Sequence, residues 1–406
     1  MKHIFESVLR ALKTISINVF TLCLLISCAQ TGYEQTSVSP NAAIVEKNDG
    51  STATADYRVT SDDNTITIDI DTRAYSEIIC CIPEEPHVEK LDSEDQNILR
   101  HSYSIEKART AFFTLLARDA EGEVRTLTPY EGPDADLKTI GLDYDAPLSG
   151  QQSTLLLSDS LGLERQVVFY SPSMEAPSTD CTLLVFGDGE GIDDFLHVLD
   201  VRLTPEDLQS VKVIGIGTPA AEDSRSASKA RGRDYLIGFE DGEQQFASLE
   251  AFLRDQILLE GAPAAFPECQ SLKPVMVGVS NGAAWAYSMY FRLPDLIHGA
   301  IAISMGWTPA HTDRLAHSNR STDNLFMVSG QYEAHQMMLL SKITEDNAQS
   351  EDEMEVCILG SGHDWSMWRE ALWHSLPRIM GIDNSEAASS CFIGPKDFQQ
   401  IANSDE

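Results

Sequence analysis

The chain has 406 residues, of which 63 are acidic and 29 basic, so its formal net charge at pH 7 is −34. A surface of this sign repels phosphate backbones, and we therefore expect no nucleic acid among its partners. With 42% hydrophobic residues the chain can bury a substantial core, and its length suits one large domain or two ordinary ones.

The first 27 residues have the layout of an export signal. A basic start precedes an apolar stretch, Ile15 to Ser27, that is short for a membrane-spanning helix. The stretch ends in Leu25-Ile26-Ser27-Cys28, which resembles the lipobox at which bacterial lipoproteins are cleaved and lipidated. We therefore expect a lipid on Cys28 that holds the protein at a bacterial membrane, on the periplasmic face or the cell surface. An ordinary secretory peptide and an uncleaved anchor are the alternatives.

Composition and periodicity divide the rest of the chain. Residues 28–55 are polar and predict a flexible tether. Residues 56–148 contain short strand patterns, such as Asn64–Thr72 where isoleucine alternates with polar residues, and predict a small β-rich accessory domain. Residues 149–385 have a different pattern and predict a larger domain, which residues 386–406 follow as a C-terminal tail.

Apart from Cys23 in the leader and the expected lipidation site Cys28, the chain has six cysteines: Cys80, Cys81, Cys181, Cys269, Cys357 and Cys391. An even number in an exported protein permits disulfide bonds, and no spacing typical of metal ligands is present. A bond between the adjacent Cys80 and Cys81 would be strained. A bond between Cys269 and Cys391 is conceivable, but the sequence leaves the pairing open.

Apolar runs alternate with helical stretches along the larger domain. Thr154–Leu157 and Arg165–Tyr170 predict a strand pair, and the apolar runs that follow are Thr182–Phe186, Val211–Ile216, Pro274–Val277, Gly299–Ile303, Leu325–Val328 and Met354–Ile358. The clearest helical stretch is Glu243–Leu259, in which Phe246, Leu249, Leu253 and Ile257 share one face. This alternation predicts an α/β fold with a mostly parallel sheet covered by helices. Such sheets bind ligands at the carboxyl ends of their strands.

The most informative motif is the G-x-S-x-G pentapeptide Gly278–Gly282. An apolar run leads into it, and a helix-forming run that starts at Ala283 leads out. A strand that turns sharply into a helix can hold a serine in a strained conformation with its Oγ above the sheet. Glycine is needed two residues to either side, since larger side chains would collide there. Ser280 is therefore the candidate nucleophile.

His363 is the candidate general base. An unassisted serine is a weak nucleophile, so a base must take its proton. His363 stands in a glycine-rich loop directly after a predicted strand, from where it can reach a serine on a neighbouring strand. Four further histidines lie on predicted helical or surface segments: His298, His311, His317 and His335.

Glu333 is the carboxylate that we expect to orient His363. It stands just past a predicted strand, on the same rim as Ser280, and the chain order Ser280, Glu333, His363 is that of a nucleophile-elbow triad. Asp364 adjoins the histidine in a tight loop and should point elsewhere, while Asp323 precedes its strand and lies at the wrong end of the sheet. The alternative is a serine–histidine dyad in which Glu333 is a surface carboxylate.

Backbone N–H groups are needed to stabilise the negative charge that develops on a substrate oxygen. One is expected from Asn281, which follows the nucleophile, and a second from a loop after an earlier strand. The loop Gly187–Gly191 fits, since its glycines let the backbone approach a ligand closely. It lacks the Lys-Ser/Thr ending of a phosphate-binding loop, and its acidic residues oppose an anion.

Three segments together resemble the enterochelin esterase and esterase D branch of the α/β-hydrolases: Phe186–Glu190, Gly278–Gly282 and Gly362–Arg369, which reads G-H-D-W-S-M-W-R. The match covers about residues 150–380. It implies an α/β-hydrolase fold, a serine nucleophile and hydrolysis of a small-molecule carboxylic ester without a cofactor or metal. The resemblance also makes the backbone N–H of Glu190 the second oxyanion donor. We further expect Asp188, Gly189 and Trp365 to contact the substrate.

The chain departs from this family at two elbow positions. Ala283 stands where a further glycine is frequent, and Asn281 where an apolar residue is usual. Siderophore esterases commonly bind anionic substrates, and four basic residues could meet such an anion or simply be solvated: Arg225, Lys229, Arg231 and Arg233. An acyltransferase on the same scaffold and a non-catalytic binding lipoprotein are the alternative functions. The sequence leaves the particular ester and the oligomeric state open.

Overall fold

The computed structural model describes most of the larger domain and, before it, seven strands. The described ranges are 57–61, 65–71, 77–80, 87–90, 98–104, 115–118, 124–127, 148–172, 180–221, 224–306, 321–331, 333–347, 354–359, 362–363, 365–382, 392–393 and residue 398. The predicted leader, its lipidation site Cys28 and the tether lie outside these residues.

The seven N-terminal strands are β1 (Tyr57–Ser61), β2 (Thr65–Asp71), β3 (Glu77–Cys80), β4 (His87–Lys90), β5 (Ile98–Ser104), β6 (Leu115–Arg118) and β7 (Val124–Leu127). They pair antiparallel in a four-stranded sheet of order β1-β2-β5-β4 and a three-stranded sheet of order β3-β6-β7. The β-rich pattern predicted for this region is therefore present, and a separate accessory domain stays a prediction.

One nine-stranded sheet organises the chain from Gln151 to Ile393, and its last strand lies in the segment 386–406 that was predicted as a tail. Its strands are β8 (Gln151–Ser158), β9 (Glu164–Ser171), β10 (Asp180–Gly187), β11 (Val211–Ile216), β12 (Ser271–Val279), β13 (Gly299–Ile303), β14 (Leu325–Gly330), β15 (Glu355–Leu359) and β16 (Phe392–Ile393). Their order is β16-β15-β14-β13-β12-β10-β11-β9-β8. The strands β10 to β15 are parallel, and antiparallel strands flank them at both edges. The mostly parallel sheet is confirmed.

The helices are α1 (Asp193–Arg202), α2 (Pro205–Gln209), α3 (Ser224–Tyr235), α4 (Glu243–Ala251), a π-helix (Phe252–Gly261), α5 (Ala262–Ala265), α6 (Asn281–Arg292), α7 (Ala334–Asn347) and α8 (Trp365–Met380). The single helix predicted for Glu243–Leu259 is thus α4 continued by the π-helix. Its predicted apolar face is buried. The period of apolar residues locates that face, but it does not distinguish an α-helical turn from the wider π turn.

Helices cover both faces of the sheet because successive strand residues point to opposite sides. In β12, Met276 packs into the apolar cluster formed with α4, α6 and α7. Its neighbours Val275 and Val277 pack into a second cluster on the other face, formed with α1 and α8. Two buried layers therefore hold the sheet rigid and fix where the carboxyl ends of its strands lie.

A disulfide bond joins Cys181 in β10 to Cys269, shortly before β12, with the two Cα atoms 5.8 Å apart. The pairing of Cys269 with Cys391, considered from the sequence, is wrong. The reason is the strand order: β10 and β12 are neighbours, and Cys181 lies opposite Leu272, close to Cys269. Cys357 in β15 is also disulfide-bonded.

Candidate active site

Ser280 occupies a sharp turn between β12 and α6. Its φ of 53° and ψ of −121° are rare for a residue with a side chain. Two backbone hydrogen bonds hold this conformation: the Ser280 N–H donates to the carbonyl of Ile303 (2.9 Å), and the Gly306 N–H donates to the carbonyl of Ser280 (2.9 Å). The end of β13 therefore stabilises the strained turn, and Ser280 remains partly exposed.

The two motif glycines are required for different reasons. A Cβ on Gly278 would lie 2.1 Å from the carbonyl oxygen of Gly282, so backbone blocks a side chain there. A Cβ on Gly282 would lie 2.9 Å from Oδ2 of Asp188. The first glycine permits the turn itself, while the second makes room for a carboxylate from the loop after β10.

Glu333 and His363 form a close pair at the same rim of the sheet. Nδ1 of His363 lies 2.6 Å from Oε1 of Glu333, a carboxylate that is only 1% exposed, whereas the His363 side chain is 19% exposed. Because an ionised carboxylate can only accept, Nδ1 of the histidine donates. The other ring nitrogen, Nε2, then carries a lone pair that can accept a proton.

The second oxygen of Glu333 is held by three donors. Oε2 accepts from the Gly330 N–H (2.7 Å), the Ser304 hydroxyl (2.9 Å) and the Ser329 hydroxyl (3.1 Å). These bonds stabilise the ionised carboxylate in a buried position and fix its orientation toward His363.

Ser304 and Trp368 complete the pair's surroundings. Ser304, buried and at a φ of 51°, also accepts a hydrogen bond from Nε1 of Trp368 (2.9 Å). The Trp368 ring meets the His363 ring edge to face at a centroid distance of 4.8 Å. Trp368 belongs to the Gly362–Arg369 motif, which predicts no role for it, and Ser304 is not among the predicted site residues. The signal for Ser304 was its position directly after a strand, on the functional rim.

The serine and the Glu333–His363 pair are joined through β13. Ile303 accepts the hydrogen bond of the Ser280 N–H, and the next residue, Ser304, donates to Glu333. The strands β12, β13, β14 and β15 are consecutive neighbours, so their carboxyl ends lie side by side. The structure thus brings Ser280, Glu333 and His363 to one rim. Asp323 precedes β14 at the opposite end of the sheet, and Asp364 lies outside the described residues.

The loop after β10 lies beside the elbow. Asp188 adopts a left-handed conformation (φ 55°, ψ 46°) and leads into a single 3₁₀ turn, Gly189–Gly191. A Cβ on Gly189 would lie 2.5 Å from the backbone of Gly215 in β11, so only glycine fits there. On the elbow side, Asn281 is the first residue of α6, where backbone N–H groups have no acceptor within the helix.

Glu190 turns its carboxylate toward Thr218, whose hydroxyl donates at 2.6 Å and whose N–H donates at 3.2 Å. Burial of the carboxylate, and then the charge of Asp188, raise the pKa of Glu190. The residue as a whole is exposed, so solvent screens part of this effect. Contacts of Asp188, Gly189 and Trp365 with a substrate, and the oxyanion roles of Asn281 and Glu190, stay predictions.

Three of the four basic residues of α3 are paired with carboxylates. Arg231 binds Asp188, and Arg233 lies 3.3 Å from Glu240 and 3.0 Å from Asp241. Lys229 lies 3.9 Å from Glu240, while Arg225 is exposed. Three of the four cations that could have met an anionic substrate therefore have an acidic partner within the protein.

Neither the comparison with protein-family models nor that with curated proteins finds a match to this sequence. Solved structures do share its fold. The ferric enterobactin esterase from Salmonella typhimurium superimposes with a TM-score of 0.56 at 14% identity, covering 82% of this chain and 98% of that one. The enterobactin esterase from Shigella flexneri, in the presence of 2,3-dihydroxy-N-benzoyl-serine, gives 0.53 at 13% identity, covering 81% and 97%. The predicted α/β-hydrolase fold is thereby confirmed.

Proposed function

We propose that this protein is a serine esterase that hydrolyses small-molecule carboxylic esters through an acyl-enzyme. The observation that carries the proposal is the 2.6 Å pair of His363 and the buried Glu333, at the same rim as Ser280 in its strained turn. A pure binding protein needs neither the strained serine nor the oriented histidine. The esterases that share the fold support the same reaction class.

In the proposed reaction, Oγ of Ser280 attacks the ester carbonyl while Nε2 of His363 takes the hydroxyl proton. Glu333 keeps the proton on Nδ1 and stabilises the positive charge that forms on the ring. The backbone N–H groups of Asn281 and Glu190 bind the oxyanion of the tetrahedral intermediate. His363 then protonates the departing alcohol, and a water activated in the same way releases the acid.

A chromogenic short-chain ester tests the proposal. The wild type should release the chromophore, and Ser280→Ala should lose at least about 10³-fold in kcat, because the nucleophile is gone while binding contacts remain. Ser271→Ala is the matched control, since Ser271 is exposed at the opposite end of the same strand. Equal activity of Ser280→Ala and the control would overturn the assignment.

The same assay separates hydrolysis from acyl transfer. Both reactions begin with the acyl-enzyme and differ in the acceptor that attacks it. We expect free acid as the main product with and without an added alcohol. A product dominated by the new ester at low alcohol concentration would favour an acyltransferase, and no turnover of any ester would favour a binding lipoprotein.

We propose further that the protein is exported and held at a membrane by a lipid on Cys28, as the lipobox-like Leu25–Cys28 suggests. Within the part of the chain that the structure describes, no helix is both long and apolar enough to cross a bilayer. Labelled palmitate fed to bacteria that express the protein should enter the wild type and Cys23→Ala. Incorporation into Cys28→Ala would refute the lipid site.

A further inference from the structure

Helix α3 holds Asp188 at both its backbone and its side chain. The Asp188 N–H donates to the hydroxyl of Tyr235 (2.8 Å). Its carboxylate accepts two hydrogen bonds from Arg231: Nε to Oδ1 at 2.6 Å and Nη2 to Oδ2 at 2.7 Å. Such a bidentate pair fixes direction as well as distance. Asp188 directly precedes the turn that carries the expected oxyanion donor Glu190.

The same guanidinium also reaches the elbow. Nη2 of Arg231 donates to the carbonyl of Val279 (3.2 Å), the residue before the nucleophile. On the other side of the serine, the Asp188 carboxylate occupies the space left by the missing Cβ of Gly282. The Arg231–Asp188 pair therefore joins the loop after β10 to the strand and helix that flank Ser280.

Helix α3 is itself firmly anchored. Asp234 accepts two hydrogen bonds from Arg165 of β9, at 2.7 Å and 2.8 Å, and a third from Gln245 (2.8 Å). The ion pair is fully buried on both sides. The ring of Tyr235 packs against Trp285 of α6 at a centroid distance of 5.5 Å. Arg231 thus acts from a platform that is fixed to both the sheet and the elbow helix.

We propose that Arg231 is a positioning residue that sets the distance between the two oxyanion donors, the N–H groups of Glu190 and Asn281, and that Asp188 is its structural partner. This inference rests on the proposed esterase function. Oxyanion donors act because they are already in place when charge develops, so a link between the segments that carry them bears on kcat. Arg231 acts through Asp188 and Val279 and is not a clamp for the substrate.

Arg231→Lys and Asp188→Asn test the proposal, since both retain similar size and neither lysine nor asparagine can form the bidentate ion pair. Arg233→Lys is the matched control on the same helix, where the arginine pairs with exposed acids. Each variant is titrated to completion with a fluorophosphonate, which counts competent Ser280 sites. On a separate, unlabelled sample of each variant, kcat and KM are measured for a neutral ester and for an anionic ester of the same acyl group.

We expect Arg231→Lys to lower kcat about 10- to 100-fold on both esters, the scale of misplacing one oxyanion donor and less than the roughly 10²- to 10³-fold of removing it, with KM changed less than about threefold. The labelling end point should stay that of the wild type while the labelling rate falls. The double variant should lose no more kcat than the worse single variant, because both substitutions remove the same Arg231–Asp188 ion pair. Arg233→Lys should keep the wild-type values.

Three results would overturn the inference: unchanged kcat in Arg231→Lys, a rise in KM confined to the anionic ester, or a lower labelling end point that accounts for the whole loss. The first denies any positioning role, the second makes Arg231 a substrate clamp, and the third makes it only a folding contact. Failure of the proposed function itself looks different. In that case the wild type is not labelled, or Ser280→Ala turns over ester as fast as the wild type.

Discussion

Replacing Glu333 by glutamine tests the orienting role of the carboxylate with little change in shape. Oε2 of Glu333 faces three donors, and Oε1 faces Nδ1 of His363. A glutamine is expected to place its carbonyl oxygen toward these three donors, because an NH₂ group there would oppose the Gly330 N–H, which can only donate, and would accept no bond from the two serine hydroxyls. The NH₂ group then faces His363, whose Nδ1 has to accept.

The glutamine amide therefore forces the ring proton of His363 onto Nε2. With Nε2 protonated, the ring can no longer take the hydroxyl proton of Ser280. The wrong tautomer costs about 10⁴-fold in kcat in triads of this kind, or roughly 5 kcal/mol of transition-state stabilisation. We expect a loss of about 10³- to 10⁴-fold for Glu333→Gln, with KM little changed.

The assay is kcat on a chromogenic ester, corrected for the fraction of Ser280 that a fluorophosphonate labels at completion. Glu345→Gln, an exposed position in α7, controls for the loss of one negative charge. A kcat for Glu333→Gln within about threefold of the control would mean that Glu333 does not orient His363 and would leave a serine–histidine dyad.

Three further variants probe the elbow, the pair and the loop. Gly278→Ala puts a Cβ 2.1 Å from the Gly282 carbonyl oxygen, so kcat should fall more than about 100-fold, and wild-type activity would contradict the elbow geometry. Ser304→Ala removes a donor to Glu333 and should lower the free energy of unfolding by about 1–3 kcal/mol in urea titrations; no change would mean that water replaces it. Glu190→Gln should raise Tm at neutral pH. The folded-state pKa of Glu190 is raised above its ordinary value of 4.5, so stability is full below that pH and falls as pH rises through the folded pKa. The Tm gain should vanish below pH 4.5. An equal gain at every pH would mean that ionisation of Glu190 is not its cause.

Local patterns were enough to predict the sheet and the position of the serine. Apolar runs separated by helical stretches mark parallel strands, because a strand covered on both faces has no polar side. The Gly278–Gly282 motif predicted a strained turn, since its glycines are needed wherever backbone closes on itself. Glu333 and His363 followed from one further rule, that carboxyl ends of parallel strands share a rim.

Contacts between distant segments could not be predicted in the same way. The pairing of Cys181 with Cys269 depends on which strands are neighbours in the sheet. The periodicity of apolar residues predicts strands but not their order. The bonds of Arg231 to Asp188 and Val279 bring together three segments that are far apart in the chain. The π-helix after α4 keeps the apolar spacing of an α-helix, so it leaves no separate signal.

The most direct test of Ser280 as the nucleophile is to locate the covalent adduct that a fluorophosphonate forms. The wild-type protein, labelled until ester hydrolysis stops, is digested and mapped by mass spectrometry. We predict one adduct, on Ser280, whose formation parallels the loss of activity and which is absent from Ser280→Ala. An adduct on another residue, or full activity after Ser280 is occupied, would contradict it.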